Sequence, residues 1–150
     1  MNESTTLHIE RVFEAGPETV FGLWTDRSAM EFWYRDGPDF DVTVAELDVR
    51  VGGKYRIEFG PRGQDPYVES GVYLEVEPGR RLVMVETLEG VEQPWSGTTV
   101  TVEFQAHDSG TRLVLTHEGF PSSHHRDLAG MGWPGFLDRI AQLTRTVRPS

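Results

Sequence analysis

The chain has 150 residues, no cysteine and a formal net charge of −10. The missing thiols exclude disulfides, thiolate nucleophiles and zinc–thiolate centres, and the acidic surface repels phosphate, so neither nucleic acid nor an anionic membrane is an expected partner. No apolar run approaches the ~20 residues that span a bilayer, and the polar start Met1-Asn2-Glu3-Ser4-Thr5-Thr6 has no leader pattern, so the expectation is one cytoplasmic domain over residues 1–150.

Residues 7–13 alternate loosely and read as a first strand. Gly16-Pro17 stops it, and Pro17 suits a helical first turn, where its missing N–H is not needed. Val20, Phe21 and Trp24 then share a helical face over residues 17–25, and Asp26 can cap a second short helix carrying Met30 and Trp33. Past Asp36-Gly37-Pro38-Asp39 the period changes to two. Residues 40–47 form a candidate strand, and Gly52-Gly53 marks a turn. Lys54 to Phe59 alternates cleanly, with Tyr55, Ile57 and Phe59 on one face. Residues 60–66 read as a loop. Further strands are predicted over residues 68–77, 81–88, 98–106 and 111–118, joined by glycine-bearing turns. With no helices between these strands the sheet is antiparallel, and the class is α+β. Ser122 or Ser123 can cap a long last helix with a stripe of Trp133, Phe136, Leu137, Ile140, Leu143 and Val147. Pro134, among Gly130, Gly132 and Gly135, predicts a kink or break in it.

The order of strand, two short helices, six strands and long helix resembles the helix-grip arrangement of the START-like (SRPBCC) superfamily. Five segments narrow the likeness: FGLWTDRSAMEFWY from Phe21, VGGKYRIEF from Val51, GVYLEVEPGRRLVM from Gly71, GTRLVLTHEGF from Gly110 and GWPGFLDRIAQL from Gly132. In this order they resemble the branch named after the activator of the heat-shock-protein-90 ATPase. The resemblance covers roughly residues 7–147. It implies a curved antiparallel sheet of about seven strands gripping the long helix, with an apolar cavity between them. It also implies binding of a hydrophobic small molecule, polyketide- or lipid-like, as the leading function. Some START-like relatives are polyketide cyclases or aromatases, and some actinobacterial ones protect their host against reactive natural products. Modulation of a chaperone ATPase is expected of larger proteins.

On this reading Tyr55, Ile57, Phe59, Val72, Leu74, Met84, Val100, Val102, Phe104, Leu113 and Leu115 face the stripe of Trp133, Phe136, Leu137 and Ile140. They either fill a solid core or line the binding site. Two polar residues share that face by parity. Glu86 goes with Leu82 and Met84, and His117 with Leu113 and Leu115. A buried carboxyl and an imidazole facing one pocket can act as acid and base. They are expected about two strands apart, on the order of 10 Å, so that a ligand or water would have to join them. Trp33 at the end of the helix pair and Trp95 in the loop of residues 92–96 are candidate gates at the cavity mouth. Tyr34, Arg35 and Asp36 are expected in a solvated loop beside it. His124 and His125 diverge by about 100° on a helix, so no metal is expected. No nucleotide-binding or hydrolase motif is present, and no cofactor is expected. A homodimer through the sheet edge or the cavity mouth is left open.

Overall fold

Each helix begins where the sequence supplies a start. In the computed structural model, which describes residues 5–146, strand β1 (Thr6–Phe13) leads into α1 (Pro17–Trp24), with Pro17 in its first turn. The side chain of Asp26 accepts from the Ala29 amide at 2.8 Å and opens α2 (Arg27–Trp33). Such a cap is worth about 1 kcal/mol. Six strands follow: β2 (Phe40–Leu47), β3 (Lys54–Pro61), β4 (Tyr67–Glu77), β5 (Arg81–Glu89), β6 (Trp95–His107) and β7 (Gly110–Glu118). Helix α3 (Ser123–Thr146) closes the fold, with Ser122 Oγ accepting from the His125 amide at 3.2 Å. No described helix is long and apolar enough to cross a membrane.

The seven strands form one antiparallel sheet in the order β1-β7-β6-β5-β4-β3-β2. Irregularities in the ladders decide which side chains look inward. On β4 the register shifts between Tyr73 and Glu75, leaving Leu74 as an extra, exposed residue. Glu69, Gly71 and Tyr73 therefore hold the inner face, and Val76 rejoins it after the bulge. This corrects the expectation for Val72 and Leu74: Val72 pairs with the outward Lys54, and both look away from α3. On β6, Glu86 of β5 faces Thr98 but Thr87 faces Ser96, so Gly97 (φ 82°) is skipped. That single extra residue flips the parity beyond it and brings Trp95, opposite Leu88, onto the inner face. Trp95 thus opens a strand instead of sitting in a loop.

Two further boundaries differ from expectation. Strand β3 runs on through Gly60 and Pro61, which pair with Asp41 and Phe40. Pro61 is tolerated because it ends the strand. Helix α3 passes through Pro134 without a break, held on both sides of the proline by the buried Trp133 and Leu137. The last residue of the expected stripe, Val147, lies outside the described residues.

The core occupies one half of the space between sheet and helix. Ile57, Val102, Leu113 and Leu115 meet Leu137 and Ile140, all of them at most 1% exposed. Each such side chain contributes about 1.5–3 kcal/mol. The aromatic rings of the helix pair fill the adjacent volume. Phe21 meets Phe104 edge-on at 5.4 Å, and Trp24 stacks on Trp133 at 5.8 Å between centroids. With this half solid, the hollow beneath α3 lies toward the other end of the strands.

Candidate functional site

That end contains a cavity of about 420 Å³ beneath the first half of α3. Its sheet wall is Phe59, Tyr67, Glu69, Glu86, Leu88, Trp95 and His117; α3 contributes Leu128, Ala129, Met131, Gly132, Trp133, Gly135 and Phe136. Asp36 and Phe40, after α2, complete it together with Val91. A second hollow of about 640 Å³ lies at the opposite end of the strands, between residues 12–16 with Thr19 and residues 107–110. Only the first has buried ionisable groups in its wall.

Glu86 is the centre of those groups. Three donors converge on its Oε1: Trp95 Nε1 at 2.8 Å, Thr98 Oγ1 at 3.0 Å and His117 Nε2 at 2.7 Å. Glu86 and His117 are therefore in direct contact, where a gap bridged by ligand or water was expected. They lie on β5 and β7, and the short Thr98 on the intervening β6 leaves room for both side chains to meet above it. His117 Nε2 also lies 3.0 Å from Thr98 Oγ1, and its Nδ1 accepts from Trp133 Nε1 at 3.1 Å. An indole N–H can only donate, so Nδ1 presents its lone pair and the ring proton sits on Nε2. Trp133 thereby sets the tautomer that serves Glu86.

A second carboxyl, Glu69, joins this cluster. It stands diagonally from Glu86 across the β4–β5 ladder, where Gly71 faces Glu86. The two carboxyl groups are hydrogen-bonded to each other. Tyr34 and Tyr55 donate to the two Glu69 oxygens, each at 3.1 Å. The Tyr55 ring reaches across Gly71, where a β-carbon would lie 2.5 Å from it. Burial, followed by the Glu86 charge, pushes the Glu69 carboxyl well above the usual carboxylate range. Burial also opposes ionisation of Glu86. The hydrogen bonds from His117, Glu69 and Trp95 outweigh it and hold Glu86 below that range. Two carboxyls this close cannot readily both ionise, so Glu69 keeps the proton and Glu86 the charge. Burial and the Glu69 carboxyl raise Tyr34 and Tyr55 well above the usual phenol range, so both remain donors.

Of the residues singled out in the sequence, Phe59, Glu86, Trp95, His117, Trp133 and Phe136 line the cavity. Tyr55, Ile57, Met84, Val102, Phe104, Leu115, Leu137 and Ile140 are buried outside its wall. Trp33, expected at the mouth, is 1% exposed, and its Nε1 donates to Leu23 O at 2.8 Å. It is a core residue because Tyr34 and Phe136 cover it. Tyr34, expected in solvent, is buried on Glu69. Arg35 donates to Phe40 O at 2.9 Å, and Asp36 lies 3.6 Å from Arg139. His125 is tied to Ser122 Oγ at 2.7 Å. The sequence conceals Glu69 because Val72 and Leu74 suggest the opposite parity. The available signal was its even spacing from Gly71 and Tyr73.

Residues 14–145 match the family model described as Activator of Hsp90 ATPase homolog 1-like protein. Among solved structures, protein CV1439 from Chromobacterium violaceum is 30% identical, with a TM-score of 0.83 over 93% of this chain and 96% of that one. An AHSA1-like protein from Aeromonas hydrophila is 25% identical, with a TM-score of 0.79 over 94% and 92%. Protein Mll3558 from Rhizobium loti is 27% identical, with a TM-score of 0.73 over 93% and 96%. No curated protein matches the chain.

Proposed function

The chain belongs to the family of Activator of Hsp90 ATPase homolog 1-like proteins, within the START-like superfamily, and from that premise we propose that it binds a small, largely apolar molecule in the cavity under α3. The observation that carries this reading is a void of about 420 Å³ with apolar and aromatic walls and one convergent polar cluster, the general make-up of small-molecule sites. The cluster orients the ligand. Trp95, Trp133 and Phe136 supply flat apolar surface around it.

A second reading, acid–base catalysis of the cyclase or aromatase kind, is favoured by the contact of Glu86 with His117 in the cavity wall. In it, the proton shared by Glu69 and Glu86 would be the acid. Binding ranks first because both His117 nitrogens and the Glu86 Oε1 are already engaged within the protein, leaving no imidazole lone pair for a substrate.

Gly132 offers a direct test. A β-carbon there would meet nothing within 4 Å, so this lining position has room for a side chain to begin. Gly132→Phe is expected to keep or modestly raise the melting temperature, since glycine is a poor helix former. It should also abolish the thermal stabilisation that 1-naphthylmethanol gives the wild-type chain. Equal stabilisation of both proteins would place binding elsewhere.

A further inference from the structure

The cavity wall carries a negative charge that no side chain in it balances. Among the described residues lining it there is no lysine or arginine. His117 accepts the Trp133 N–H on Nδ1 and so is an uncharged donor to Glu86 in this arrangement. The other groups on the two carboxyls are the neutral Trp95, Thr98, Tyr34 and Tyr55. Arg139 reaches Asp36, at 3.6 Å, instead of the carboxyl pair. Glu69 and Glu86 can share one proton, yet the pair still retains at least one negative charge, 4% exposed at Glu86. Buried charges are normally matched by a counter-charge, and neutral donors soften this cost without cancelling it.

We propose that the missing counter-charge belongs to the ligand, an apolar molecule bearing one protonated amine that sits on the Glu69–Glu86 pair. The proposal rests on the reading of this cavity as a small-molecule site and names the class of its occupant. An ammonium group donates to both carboxyls, and its charge complements theirs at short range in a partly desolvated space. The aromatic faces around the pair suit the same group, since the negative face of an indole or phenyl ring attracts a cation. Trp95 and Trp133 both lie beside His117, at 6.0 and 6.1 Å between ring centroids, so aromatic surface flanks the polar cluster from sheet and helix alike. A ligand carboxylate would meet the retained charge with the same sign and be excluded.

Three probes of nearly the same shape separate these ideas: 1-naphthylmethylamine, 1-naphthylmethanol and 1-naphthoate, titrated calorimetrically into the full chain at neutral pH. The amine is expected to bind about 30-fold more tightly than the alcohol, the scale of a hydrogen bond to a charged group, and the naphthoate to give no saturable heat. In the double variant Glu69→Gln with Glu86→Gln, amine and alcohol should become equal. Equal binding of amine and alcohol to the wild-type chain would overturn the proposal while leaving the cavity reading intact, and so would tighter binding of naphthoate. Binding of none of the three would contradict both. The wild-type comparison decides the matter even if the double variant fails to fold.

Discussion

Glu86→Ala is expected to destabilise the fold by about 3–5 kcal/mol, the scale for leaving several buried donors without their shared acceptor. The loss has a specific origin. Without the carboxylate, the N–H of Trp95 has no acceptor, His117 Nε2 keeps only Thr98, and the Glu69 proton has lost its partner. Each buried donor left unpaired costs about 1–3 kcal/mol. Glu86→Gln keeps the shape and one acceptor oxygen, and should cost only about 1–2 kcal/mol. Urea denaturation of the two variants beside the wild type measures both. A Glu86→Ala loss below that of Glu86→Gln would mean that the hydrogen-bonded cluster is not formed in solution.

Stability should also fall as pH rises above the ordinary carboxylate range. Glu69 is protonated more readily in the folded chain than in the unfolded one. Its contribution is full below the unfolded value, about 4.3, and is lost as pH climbs toward the raised folded value. The slope over that window approaches about 1.4 kcal/mol per pH unit for a single proton. Glu86 acts in the opposite direction. Its carboxyl is held low in the fold, so its contribution is present above the unfolded value and disappears as pH falls. Glu69→Gln cannot lose a proton; its amide nitrogen can still donate to Glu86, but its single oxygen replaces only one of the two acceptors that Tyr34 and Tyr55 use. The variant is therefore expected to be the less stable protein in weak acid, by about 1 kcal/mol for the lost tyrosine bond, and to gain steadily on the wild type as pH rises. Unfolding free energies in stepped buffers test this, and parallel profiles for the two proteins would show that Glu69 is not the group responsible.

Much of the scaffold was legible because its signals are local. Pro17 and Asp26 announce helix starts, and the alternation of Tyr55, Ile57 and Phe59 announces a strand. Parity also placed Glu86 and His117 on the face beneath α3, since no irregularity separates either from its apolar neighbours Met84 and Leu115. The losses follow from bulges and from tertiary packing. The shift at Leu74 reversed the inner face assigned to β4 and concealed Glu69. The skipped Gly97 turned Trp95 inward, and a period-two pattern has no means of registering an extra residue. Tyr34 looked like loop, and only the fold brings it to Glu69 from 35 residues away. The Glu86–His117 contact was misjudged because strand spacing describes backbones, whereas long side chains lean across a short residue such as Thr98.

On the proposed reading a ligand enters the space between Trp95 and α3. The most direct measurement of this is a titration of the ¹⁵N-labelled chain with 1-naphthylmethanol, following the four indole N–H resonances. Trp95 and Trp133, whose N–H groups end on Glu86 and His117 in the cavity wall, should shift strongly and saturably. Trp33, held by the Leu23 carbonyl in the core, should move least. Saturable shifts confined to the hollow around Val12 and His107, or no shift at Trp95 and Trp133, would contradict the account.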